Sequence, residues 1–199
     1  MRDFKQEARG RSAVLRRLGH LTADNVVTTK GRVACEINTA DELLATELMM
    51  NGTFNALDKH QLVAMVSCLV QVEKSNEEIR LTGVLATPLR ALQDAARRIA
   101  ETSVECKLEV NVEDYVTSFW PYLMDVIYAW SKGASFAEIC EMTDLFEGSI
   151  VRATRRLDEL MGELERAALA VGDSTLAQKI DESRSTIRRD IMFAASLYI

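Results

Sequence analysis

Phe146-Glu147-Gly148-Ser149-Ile150-Val151-Arg152-Ala153-Thr154-Arg155-Arg156-Leu157-Asp158-Glu159-Leu160 is the stretch on which the reading of this chain turns. A 3.6-residue period gathers Ile150, Val151, Thr154, Leu157, Met161, Leu164 and Ala168 onto one stripe, which predicts a long amphipathic helix with that stripe against a core. On the opposite side Arg152, Arg156, Glu159 and Glu163 follow at intervals of four, three and four, a single polar row. Two guanidinium groups and two carboxylates in line suit the grip of a charged polymer, and they equally suit a solvated face with weak surface pairs. Spacing alone leaves both open. Two details lean toward a ligand. Arg152 and Arg156 are like charges one turn apart, mildly destabilising without a shared partner. Arg mixed with acid also suits contacts to bases and sugars as well as phosphates.

Outward from this helix, Ser135-Phe136-Ala137-Glu138 reads as a capping box opening a two-turn helix, and a three-residue turn then leads into the long one. Residues 135–160 therefore carry a helix-turn-helix pattern, which any two helices joined by a short turn share. Upstream, Thr39 to Glu42 predicts a second capping box ahead of a helix that stops near Asn51-Gly52. Asp58 predicts the cap of a densely apolar, central helix through Val70, and Thr87-Pro88 the start of a helix reaching about Cys106. Short helices are expected over 113–119 and 122–130. A last helix, capped by Asp173 or Ser174, is expected to carry Leu176, Ile180, Ile187, Ile191 and Leu197 to the end of the chain. Only Val26 to Ile37 reads as a short hairpin or extended connector, behind a helix stopped by Gly19. The expectation is an all-α helical bundle with an embedded helix-turn-helix.

The 199 residues, 48% hydrophobic and 27% charged, fit a globular chain with a real core. The net charge of -6 is uneven, with residues 1–34 carrying eight basic against three acidic side chains and the remainder strongly acidic. Bulk charge therefore does not hold this chain to nucleic acid, and any such binding rests on local Arg and Lys placement. That balance also argues against a helix-turn-helix DNA regulator. Cys35, Cys68, Cys106 and Cys140 lie more than thirty residues apart and read as small core residues of a reduced compartment. With only His20 and His60 beside them, both expected at the surface, no metal site is expected. No signal peptide and no membrane-length apolar run is visible, so an intracellular, soluble protein is expected. No phosphate loop or catalytic constellation appears. Asp181-Glu182-Ser183-Arg184 reads as solvated surface, and Tyr122, Tyr128 and Trp130 as packing residues rather than a base-stacking platform.

Many segments in order resemble one family: Val14 to Gly19, Lys30 to Ile37, Ala40 to Leu44, Ala95 to Ala100, Leu123 to Tyr128, Phe136 to Cys140, Phe146 to Leu160 and Arg189 to Tyr198. Together, over about residues 11–199, they resemble the carboxyl-terminal helical (DSHCT) domain of superkiller-like DExH RNA helicases, nearest the nuclear, exosome-associated Mtr/Dob-type branch. Residues 1–37 read as an N-terminal tail that matches nothing in the family over 1–10, followed by what the resemblance implies is the end of a winged-helix-like region and its connector, and residues 38–199 as the DSHCT bundle. It implies a nonenzymatic domain that guides single-stranded RNA along a ratchet-type helix. Arg156 and Glu159 stand at the family's RNA-contacting positions, with Arg152 and Glu163 extending the row. No cofactor is expected in this chain, because ATP and Mg²⁺ would bind a RecA-like core supplied in cis or in trans. Exosome and polyadenylation-complex subunits are the implied partners. The nucleus (nucleolus or nucleoplasm) is the implied location, with the cytoplasm as alternative. A structural or protein-docking module without RNA contact is the competing reading. The helicase core precedes this domain in the family and is not in these 199 residues, so the chain reads as a fragment, a separately encoded remnant or an adaptor.

Overall fold

The computed structural model of the protein describes residues 4–76, 78–79, 81, 83–189 and 192–193. Among the described residues there are eleven helices and no strand, the all-α bundle expected. They are α1 (Phe4–Arg17), α2 (Thr29–Cys35), α3 (Glu42–Met50), α4 (Thr53–Ala56), α5 (Lys59–Ser67), α6 (Gly83–Glu105), α7 (Val112–Thr117), α8 (Met124–Ser131), α9 (Phe136–Glu141), α10 (Glu147–Ala170) and α11 (Ser174–Ser185).

Helix α5 is the centre. Leu62 to Val66 are all fully buried, and the helix packs against α6, α8, α10 and α11. Asp58 caps it as expected, in a capping box whose second member is Gln61. The same Gln61 corrects the expected start of α6. Pro88 does not open that helix but lies inside it, because the helix begins at Gly83. A proline within a helix leaves the carbonyl four residues back without its backbone donor. That carbonyl, of Val84, accepts a hydrogen bond from Gln61 Nε2 at 3.0 Å, so the vacancy is filled from α5.

Three further expectations are revised. Val26 to Ile37 is not a hairpin. A single antiparallel bridge, Leu21 with Val27, is all that is extended, and α2 follows. Thr28 caps α2 by accepting from the Gly31 N–H, and a side chain at Gly31 would run into the His20 carbonyl. The β-branched Val-Val-Thr-Thr run reads locally as strand, but Val33 and Ile37 enter the common core and α2 packs on α3 and α10. Second, the cap of α3 is Asp41, whose Oδ1 accepts from the Leu44 N–H; Thr39 is committed elsewhere. Third, α11 ends at Ser185. Ile187, just beyond it, is buried, and its carbonyl accepts from Trp130 Nε1 at 3.0 Å, while Ile191 and Leu197 lie outside the described residues.

Helices α10 and α11 form a hairpin turned at Gly172, whose φ of +77° is the left-handed conformation glycine adopts freely. Gly162 on α10 lets the Arg184 guanidinium lie against the helix. There Arg184 makes a bidentate pair with Asp158, Nε to Oδ1 at 2.7 Å and Nη2 to Oδ2 at 3.2 Å. Trp130 of α8, with no exposed surface, closes the bundle under the Arg189 guanidinium, which stands 3.6 Å over its ring.

Candidate functional site

Helix α10 is built as its period requires. Ile150, Thr154, Leu157, Met161, Leu164 and Ala168 are buried, and Val151 is half-buried at their margin. On the other side the charged row is real as helix geometry, but its members have different surroundings. Arg152, Arg156 and Glu159 are exposed. Glu163 is only 7% exposed, which corrects the expectation that it extends the open face. The connector between α2 and α3 lies across it. Its carboxylate accepts from the Asn38 N–H at 3.2 Å, the Thr39 N–H at 3.1 Å and Thr39 Oγ1 at 2.8 Å. Helical arithmetic finds the side of a helix; it does not see what another segment lays over that side.

At the start of the row, Arg152 Nη2 donates to Ser149 Oγ at 3.1 Å, and Ser149 Oγ donates to Glu73 Oε1 at 3.0 Å, so Arg152 is tied to the segment after α5. Arg155 turns away and donates from Nε to the Met192 carbonyl at 2.8 Å. Arg156 and Glu159 stand apart. Among the described residues neither side chain makes an ion pair or a hydrogen bond, although their helix packs against α2, α5 and α11. Arg156 also borders a cleft of about 390 Å³ with Asp41, Gln71, Tyr115 and Ser118. On its wall the Tyr115 hydroxyl donates to Asp41 Oδ2 at 3.0 Å. Burial first, and then the Asp41 charge, push the phenol's pKa well up, so this hydroxyl stays a donor at any ordinary pH.

An open guanidinium and an open carboxylate one turn apart offer donors and acceptors together, without any group placed for bond making. The chain matches the DSHCT (NUC185) domain over residues 24–194. It belongs to the DSHCT family. This DSHCT domain is 58% identical, over its whole length, to the DExH-box ATP-dependent RNA helicase DExH10 of Arabidopsis thaliana. It is 54% identical over 97% of its length to the human exosome RNA helicase MTR4, and 53% identical over 97% to the ATP-dependent RNA helicase mtr4 of Schizosaccharomyces pombe. It spans 20%, 18% and 17% of those three proteins respectively, and the helicase core is not among its residues.

Among the described residues no three His, Cys, Asp or Glu side chains gather as a metal site requires, and no helix is long and apolar enough to cross a membrane. His20 is not at the surface but 3% exposed, with neither ring nitrogen in a well-formed hydrogen bond. Desolvation first, then the Lys30 charge, hold its pKa below the ordinary value against weaker opposing contributions from Glu47 and the Lys30 backbone. His60 is half-buried, with Nδ1 3.0 Å from Ser131 Oγ. Cys68 is a core residue whose thiol is pushed up to about 12 by burial, whereas Cys35 is exposed rather than in the core. Asp181 and Glu182 are solvated as expected, while Arg184 belongs to the Asp158 pair.

Proposed function

We propose that this chain is the RNA-contacting DSHCT domain of an exosome-associated ATP-dependent RNA helicase. It guides single-stranded RNA along α10 during RNA processing and 3′-end decay and hydrolyses no ATP itself. The observation that carries the reading is the pair Arg156 and Glu159. They are exposed on a helix that packs against α2, α5 and α11, with no protein partner among the described residues, while Asp158 and Glu163 beside them are fully engaged. The Arg156 guanidinium donates to phosphates or base edges, and the Glu159 carboxylate accepts from base amino groups or the 2′-hydroxyl. Arg152 extends the contact by one turn. Glu163 does not take part and holds the helix in place. ATP and Mg²⁺ belong to a RecA-like core joined in cis or in trans, and the exosome and polyadenylation-complex subunits are the proposed partners, in the nucleus. Residues 11–37 are read as the end of a preceding winged-helix region and its connector, with α2 packed into the bundle.

The test is the double substitution Arg156→Ala with Glu159→Ala in the full-length helicase. Hydrogen bonds to charged groups contribute about 1.5–3 kcal/mol each. RNA-stimulated ATPase and unwinding are therefore expected to fall by about tenfold or more, with basal ATPase and the melting temperature unchanged. Unaltered RNA coupling would refute the assignment and favour a protein-docking module.

A further inference from the structure

Trp120 and Tyr122, in the segment between α7 and α8, lie with their rings parallel to within 5° and their centroids 5.2 Å apart. Trp120 is 44% exposed, although tryptophan ranks among the side chains that gain most from burial. The pair lines a cleft of about 430 Å³ together with Lys74 and Asp114. Val70, Gln71 and Ser118 are walls of this cleft and also of the neighbouring cleft that Arg156 borders. The surface thus runs without a break from the Arg156 guanidinium, past the Gln71 amide and the Ser118 hydroxyl, to an aromatic stack with a lysine beside it.

This order of groups is what a flexible single strand requires: cationic donors for phosphates, amide and hydroxyl groups for base edges, and an aromatic face for an unstacked base. A protein-docking face is instead depleted of charge at its centre, whereas this one carries Lys74 and Asp114 among its aromatics. We propose that Trp120 and Tyr122 form a stacking platform for a nucleobase of single-stranded RNA, continuous with the Arg156–Glu159 face. The proposal rests on the RNA-contacting reading of α10. It assigns Trp120 the stacking face and Lys74 the adjoining phosphate. It also revises, for Tyr122, the expectation of a pure packing role.

The sequence holds only two tryptophans, and the second, Trp130, is fully buried, so a change in emission on adding RNA reports Trp120. Titration of the 199-residue chain with an unstructured single-stranded RNA of mixed sequence is expected to quench that emission. Base–aromatic stacking contributes about 1–3 kcal/mol per base, so Trp120→Ala is expected to weaken RNA binding about fivefold or more. Trp120→Phe, which still stacks, is expected to keep the affinity and lose the quench. The near-ultraviolet dichroism of Trp130 verifies that each variant is folded. Absence of quenching in the unsubstituted chain, or wild-type affinity in folded Trp120→Ala, would overturn the platform. If Arg156→Ala weakens binding and Trp120→Ala does not, the platform falls, the surface becomes a protein-docking face and the reading of α10 stands. If Trp120→Ala weakens binding and Arg156→Ala with Glu159→Ala does not, the platform stands and the reading of α10 falls.

Discussion

Glu159 and Glu163 are the same residue type on the same side of one helix, a single turn apart, and they have opposite surroundings. Glu159 is open. Glu163 carries three hydrogen bonds from Asn38 and Thr39. Removing a buried acceptor leaves its donors stranded, which costs more than the bond itself contributes. Glu163→Ala is therefore expected to destabilise the fold by about 2–4 kcal/mol. Urea unfolding measures this as a lower midpoint at unchanged m-value, and Glu163→Gln, which keeps one acceptor oxygen, is expected to lose about half as much. Glu159→Ala is expected to leave the midpoint within about 0.5 kcal/mol of wild type. Equal effects at the two positions would contradict the placement of the connector over α10.

Among the elements, α5 and α6 are joined by one amide. Gln61 Oε1 accepts from the Asp58 N–H at 3.1 Å and closes the capping box of α5, while Nε2 covers the carbonyl that Pro88 leaves vacant in α6. Gln61→Ala removes both and is expected to cost about 1–2 kcal/mol in thermal or urea unfolding. Gln61→Glu keeps the capping acceptor but sets a carboxylate against the Val84 carbonyl, so it is expected to recover none of the loss. A glutamate variant as stable as wild type would show that the link between the helices is idle. Asp58 as cap was legible in the sequence, since a short acceptor before a helix has few other uses. The reach of Gln61 to another helix was not, because no local period encodes which neighbour arrives. Nor did the strand-like Val26-Val27-Thr28-Thr29 reveal that a helix would start at Thr29, with Val33 inside it and Ile37 just beyond its end both drawn into the core.

For the whole molecule, the bundle and the exposed pair Arg156 and Glu159 follow from apolar periodicity, caps and family likeness, all carried by neighbouring residues. What stayed hidden depends on distant segments: the connector over Glu163, the aromatic stack at Trp120 and the burial of His20. His20 also shapes how stability varies with pH. Its folded-state pKa lies below the ordinary value of 6.5, so the unfolded chain takes up its proton first as pH falls. The stability His20 preserves is complete above about pH 6.5 and is lost as pH drops through that value toward its folded-state pKa. His20→Phe is expected to flatten the melting temperature between pH 7 and pH 5 relative to wild type, and an unchanged slope would place the imidazole in water. The grip of Glu163 on residues 38 and 39 has a mechanical consequence. Glu159 stands about 6 Å up the helix from that clamp, a lever arm of one turn. The clamp thus anchors α10, one turn from the open pair, to the stretch joining α2 to α3, as a tiller is pinned to its post.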